Sequence, residues 1–356
     1  MCNKMIVYRQ LTWVALLSVW LLLAGVESFS TRTRLFKAVP LYSTSASEQA
    51  ASTVDEDDDE SSLTSKGLLR RDRYVATNRF AVKKGKEAKF EKRWATRKSR
   101  LASLDGFKYF HLMRRVKLPD EGAATYDQGT EDGSTQGNYV SFTIWEKKSH
   151  FSAWRKGDAF VEAHGGKSIA SFVTTMISSA MVLGGPPRPA FYDGLLLQST
   201  KPDSGSIPKT VDGWRSVEAD GVNTLPTECF VACNQFFVPP ENAAAFEQRW
   251  ANRKSKLKEC DGFVAFSMLR RDGSAKGHGT SPVTNDEPTY MSTTVWKDQA
   301  SFEGWRKGMA FREAHGSNDA KDNKEPAKPP APPLWSKPPQ PVFYEGTLVI
   351  TSEDGA

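Results

Sequence analysis

Two long stretches of the chain carry one pattern of apolar and polar positions. In the first, Tyr74 to Val82 alternates and is aromatic or β-branched, which predicts a strand. From Lys86 to Leu104, Phe90, Trp94, Leu101 and Leu104 recur near helical spacing and predict an amphipathic helix, ended by Asp105-Gly106. Phe107 to Arg114 reads as a second strand, followed by a polar, Gly-rich loop to about Gly137 and a third strand over Asn138 to Glu146. Lys147 to His164 is helical with a break at Gly157, and a last strand runs from about Ala190 to Gln198, after a Pro-rich turn.

The second stretch repeats the first. Asn78, Phe80, Phe90, Trp94, Arg97 and Asp105-Gly106 recur as Asn234, Phe236, Phe246, Trp250, Arg253 and Asp261-Gly262, at a constant offset of 156 residues. Tyr139, Trp145, Trp154 and His164 recur as Tyr290, Trp296, Trp305 and His315 at an offset of 151, the change falling in a loop. The element order βαββαβ is the split βαβ, or ferredoxin-like, pattern. The fold class is therefore α+β: two tandem ferredoxin-like domains whose sheets cover each other as a pseudo-twofold pair within one chain. The copies differ before the last strand. Ser168 to Leu183 is apolar and predicts an extra helix; Asn318 to Pro341 is polar and Pro-rich and predicts an extended loop. The expected boundaries are 66–199 and 228–356, joined by a polar linker over 200–227.

The first 65 residues read as processing signals. Lys4 and Arg9 precede an apolar run from Leu11 to Val26, shorter than the roughly 20 residues of a membrane span. It reads as a signal peptide over residues 1–28. Residues 29–65 are at first Arg- and Ser/Thr-rich, with no acid between Phe29 and Glu48, and then acidic from Asp55 to Glu60. A signal peptide followed by an aromatic residue and a transit-like stretch resembles the bipartite presequence of secondary plastids; the alternative destination is secretion. No membrane span is expected in the mature protein. The net charge of +6 favours acidic ligands and is too mild to imply nucleic acid. Cys229, Cys233 and Cys260, an odd number without CxxC spacing, predict inert thiols rather than a disulfide framework.

Four repeated features could carry chemistry. Tyr74, Ala76, Asn78, Phe80 and Val82 share one strand face, as do Phe230, Ala232, Asn234, Phe236 and Val238, so each apolar stripe holds one Asn. A buried amide needs a partner, which is either the backbone or a ligand. Of five histidines only His164 and His315 match, each at a helix end before Gly. Such a residue either caps the helix or ligates a metal such as haem iron. Trp154 and Trp305 lie one turn after Phe151 and Phe302, where core packing is the plain reading. Arg97 and Arg253 fall on the apolar stripe of the first helix and need carboxylates, from the protein or from a ligand; Arg93 and Arg249 are neighbouring candidates.

Taken together, Asn-x-Phe on a strand, Phe-x-x-Arg-Trp on a helix, Phe-x-x-Trp, and a helix ending Ala-His resemble the antibiotic-biosynthesis-monooxygenase (ABM) fold, and within it the IsdG-type haem-degrading monooxygenases. The resemblance implies a triad of Asn78, Trp154 and His164, and again Asn234, Trp305 and His315. On that basis haem is both substrate and cofactor, and the histidines ligate its iron. The asparagines hydrogen-bond the bound oxidant and the tryptophans distort the macrocycle. Arg93, Arg97, Arg249 and Arg253 are candidates for the propionates. Iron and an open-chain tetrapyrrole are the products. No GxGxxG fingerprint for a flavin or nicotinamide occurs, so electrons come from an external donor, ferredoxin in a plastid. A haem carrier or sensor, or a cofactor-free monooxygenase of quinol-like aromatics, would use the same scaffold. The expected form is a monomer containing an intramolecular pseudo-dimer.

Overall fold

The computed structural model describes residues 63–97, 99–119, 125–127, 137–163, 169–200, 227–253, 255–273, 287–309, 311 and 332–351. The leader, most of the linker and most of the Pro-rich loop lie outside them, as do His164 and His315.

Copy 1 runs β1 (Arg73–Phe80), α1 (Glu87–Ala95), β2 (Phe107–Lys117), the short β3 (Thr125–Tyr126), β4 (Tyr139–Trp145), α2 (Lys148–Lys156), α3 (Asp158–Ala163), α4 (Ile169–Val182) and β5 (Arg188–Ser199). Copy 2 runs β6 (Cys229–Phe236), α5 (Ala243–Ala251), β7 (Phe263–Arg271), β8 (Tyr290–Trp296), α6 (Gln299–Lys307) and β9 (Gln340–Thr351). The strands form one sheet in the order β3-β2-β4-β1-β5-β7-β8-β6-β9, and β9 returns to β2. All strands but β3 therefore close a ring, which removes the open edges of both half-sheets.

Closure depends on the two long last strands. β5 pairs with β1 through Arg188 to Gly194 and with β7 of the other copy through Tyr192 to Ser199. β9 does the same, with β6 and then with β2. Each long strand shifts register where it lies against the opposite copy, between Leu195 and Gln198 and opposite Leu112/Met113. At the first shift Leu196 adopts φ 53°, the left-handed region a branched residue rarely visits, so the bulge is fixed by strand pairing on both sides.

Both sheet faces are buried, for different reasons. Tyr74, Ala76 and Phe80 face the helices and pack with Phe90, Phe110, Trp145 and Phe151. Val75 faces the barrel interior, where Met113, Phe142, Tyr192, Cys229, Val231 and Tyr344 of both copies share one core. Copy 2 has its own helix-side cluster around Phe230, Phe246 and Trp296.

Polar ties reinforce the duplication. Buried Glu91 on α1 accepts from Arg114 Nε and Nη2 and from the Tyr139 hydroxyl (2.6 Å). Glu247 on α5 accepts from Arg270 Nη1 (3.0 Å) and the Tyr290 hydroxyl (2.6 Å) in the same way. It also accepts from the Leu69 backbone N–H (2.6 Å), so the chain entering copy 1 is fastened to copy 2. The two crossings are not identical. A Cβ on Gly346 would meet His111 Nε2 at 1.9 Å and Cys229 Sγ at 2.9 Å; a Cβ on Gly194 would meet Arg73 Cβ at 3.2 Å and Ser267 Oγ at 3.5 Å.

The first helix is shorter than its apolar spacing suggests. It stops at Ala95, and Leu101–Ser103 forms a separate 3-10 turn. Thr96 Oγ1 donates to Lys92 O (2.8 Å) and Ser99 Oγ accepts from Leu101 N (3.2 Å), so side chains compete for backbone groups that a continuing helix would use. Arg97 thus lies in the coil after α1, not on its apolar stripe. The apolar 168–183 segment is the helix expected of it, and Val182 enters the copy 1 core. Among the described residues no helix is long and apolar enough to cross a membrane.

Candidate active site

In each copy the site builds on the helix-facing side of the sheet. Asn78 on β1 stands opposite Ser141 of β4 and Pro189 of β5; Asn234 on β6 stands opposite Ser292 and Pro341. Neither amide side chain makes a hydrogen bond with another described residue. Asn78 is half-buried and Asn234 exposed. Of the two alternatives, no backbone partner is found among the described residues, and for exposed Asn234 the desolvation cost that would demand one does not arise.

The aromatic walls repeat closely. Trp94 stacks on Phe110 at 5.5 Å and meets Phe80 at 5.7 Å; Trp250 stacks on Phe266 at 5.9 Å and meets Phe236 at 5.8 Å. Trp154, in the last turn of α2, lies 5.5 Å from Trp145 and 5.0 Å from Phe160 of α3, the latter edge-on. Trp305 repeats this against Trp296 at 5.4 Å and Phe311 at 4.9 Å. The break after each helix makes that contact possible. Gly157 and Gly308 are extended, their N–H groups cap Trp154 O and Trp305 O, and a Cβ at Gly308 would lie 3.0 Å from Gly304 O. The strand residues flanking Asn78, together with Trp94 and Trp154, belong to one packed cluster, and their copy 2 counterparts to another. Each indole is therefore fixed before any ligand binds.

The arginines line one side. Arg97 lies over the Trp94 ring at 4.9 Å and Arg253 over the Trp250 ring at the same distance. Arg97 has no carboxylate within ion-pair distance among the described residues, and its Nε is buried without an acceptor. Burial, and secondarily the neighbouring Arg93 charge, push its pKa down to about 10. Burial lowers Arg93 and Arg253 as well. Both Arg93 and Arg249 are exposed, and Arg93 Nη1 donates to Ser179 Oγ of α4 at 2.8 Å. His164 and His315, expected just after α3 and its counterpart, lie outside the described residues.

Ser179 is a contact that the sequence pattern did not single out. Nor did it single out the carboxylate–arginine–tyrosine ties, although Glu91, Arg114 and Tyr139 all have repeated counterparts that would have shown them.

A closed barrel of paired ferredoxin-like domains, each with the same packed aromatic cluster beside one strand Asn, defines the fold class. The comparison with known proteins makes the assignment specific. The chain matches antibiotic biosynthesis monooxygenase over residues 73–166 and again over 229–317, and it belongs to that family. It is 30% identical over 110 residues to a staphylobilin-producing heme oxygenase of Staphylococcus haemolyticus, spanning 31% of this chain and 90% of that one. To the enzyme of the same name from Staphylococcus saprophyticus it is 37% identical over 95 residues, spanning 27% and 76%. Among solved structures it is similar to a proposed monooxygenase of Fusobacterium nucleatum (13% identity, 80% of this chain and 96% of that one, TM-score 0.45). It is also similar to a heme-degrading enzyme of Listeria monocytogenes (9% identity, 67% and 99%, TM-score 0.26).

Proposed function

We propose that this protein degrades haem oxidatively, with dioxygen and electrons from an external donor, releasing iron and an open-chain tetrapyrrole. The observation that carries the reading is the Asn78 amide, which has no hydrogen-bond partner among the described residues and lies on the strand face that packs with Trp154, an arrangement repeated by Asn234 and Trp305. The residues fit the group. A flat apolar macrocycle suits the aromatic clusters, and its acidic edge suits the Arg97 guanidinium, which has no carboxylate within ion-pair distance among the described residues. The names of the staphylococcal relatives point the same way.

Haem, when bound, supplies the oxygen-activating chemistry. The chain supplies the surroundings. Trp154 and Trp305, held from two sides by rings, would pack against the macrocycle and influence its shape, one of a protein's levers on haem reactivity. Asn78 and Asn234 would supply an amide N–H to the reacting group. Arg97 and Arg253, with Arg93 and Arg249, would hold the carboxylates. His164 and His315 would ligate the iron. A plastid setting, with ferredoxin as donor, is part of the proposal.

The test uses the chain from Leu63 onward, loaded with haemin, in air with a reductant and with catalase present. Decay of the Soret band with release of chelatable iron is expected. A band that forms and persists indicates a carrier and overturns the enzyme reading. Absence of any band overturns the haem reading in favour of cofactor-free oxygenation.

A further inference from the structure

The two sites repeat their rings but not their basic edges. In copy 1, α4 is fastened along α1. Lys83 Nζ donates to Ala180 O (2.9 Å) in the last turn of α4, Arg93 Nη1 donates to Ser179 Oγ (2.8 Å), and Ser179 Oγ donates to Thr175 O (2.8 Å). The exit from α4 has a copy 2 counterpart: Gly184 N donates to Ala81 O and Ser336 N to Phe237 O, both at 2.8 Å, and Ser336 Oγ also donates to Phe237 O (3.1 Å). The side chains diverge. Arg249, the counterpart of Arg93, is exposed as Arg93 is, but makes no side-chain hydrogen bond or ion pair with a described residue. Asn78 is half-buried where Asn234 is exposed.

We infer that the two sites are unequal: α4, through Ser179 and the Arg93 it positions, makes copy 1 the slowly exchanging site for a carboxylate-bearing ligand, and copy 2 the rapidly exchanging one. This rests on the haem reading for the identity of the ligand. A guanidinium has five donors, and Ser179 occupies one, so Arg93 keeps a fork for a carboxylate while its rotamer is already fixed. Ordering that side chain in advance removes part of the entropy cost of binding. Arg97 and Arg253 are both half-buried, so the difference between the sites lies in Arg93 and Arg249. Arg249, without such a contact, must be ordered on binding.

The test loads the chain from Leu63 onward with haemin to saturation and follows transfer to excess apomyoglobin. Two phases of similar amplitude are expected. Ser179→Ala should speed the slow phase several-fold and leave the fast one unchanged, and Ser179→Thr, which keeps the hydroxyl, should restore it. Haemin dimethyl ester, lacking free carboxylates, should bring the two rates together. A single phase with the intact protein, or equal effects of Ser179→Ala on both phases, overturns the inference while leaving the haem reading intact. Failure to form a Soret band overturns both.

Discussion

Replacing Asn78 and Asn234 together with Ala should separate activity from stability. Neither amide side chain hydrogen-bonds a described residue, so truncation removes no internal bond, and neither residue is fully buried. A surface-like change of this kind stays within about 0.5 kcal/mol, which for a domain of this size is a Tm shift of at most ~2 °C. Had the backbone held the amides, each loss would cost about 1–3 kcal/mol and Tm would fall by roughly 2–12 °C per site. Catalysis should respond on another scale. One donor aimed at developing charge contributes about 10²–10³ in rate, or ~2.7–4 kcal/mol. The assay pairs thermal unfolding by circular dichroism with single-turnover Soret decay, after a titration showing that haemin still binds. A Tm drop above ~6 °C, or an unchanged turnover rate, refutes the assignment of these residues to chemistry rather than to strand structure.

Three further outcomes follow from the packing. Glu91→Gln leaves Arg114 as a buried cation without its carboxylate, which should cost about 3–5 kcal/mol; adding Arg114→Met should recover much of it, and no recovery in denaturant melts would show the pair is not coupled. His111 is buried in the barrel, and desolvation pushes its pKa from 6.5 down to about 3. Because the unfolded chain takes up the proton first, stability from this group is intact above about 6.5 and is lost as pH falls toward 3, by on the order of 4 kcal/mol. The decline in unfolding free energy between pH 7 and 4 should be shallower in His111→Gln, and equal slopes would exclude this group as the cause. Burial pushes the Cys229 and Cys233 thiols up to about 12, so alkylation of the native protein followed by peptide mass spectrometry should label half-exposed Cys260 first; early labelling of Cys229 would contradict its place in the core.

The repeat made the paired architecture legible, because matched strand and helix signals at fixed offsets imply two copies of one unit. The ring closure was less visible. Alternation in Tyr74 to Phe80 marks one apolar face, yet Val75 and Thr77 on the other face are as buried as Tyr74 and Ala76. A short strand buried on both faces carries too little periodicity to reveal what covers the second. The double pairing of β5 and β9 depends on strand length and on a bulge at Leu196, neither of which has a turn-type signature. In the site, Asn78 and Trp154 could be placed on their elements from spacing alone. Arg97 could not, because Thr96 and Ser99 end the helix early by local hydrogen bonds that an apolar count ignores.

The two strand crossings have a consequence for how such a molecule can change. In a barrel made of two identical chains, every substitution at the seam occurs twice, and a residue must tolerate its own image. Here the seam at Gly346 holds His111 against Cys229, while the matching seam at Gly194 holds Ser267 and Arg73. An imidazole that requires a glycine opposite it has been accepted at one seam without being imposed on the other. Fusion has released the halves from mirror constraint, so each cleft is free to drift toward a separate task while the shared wall between them keeps both folded.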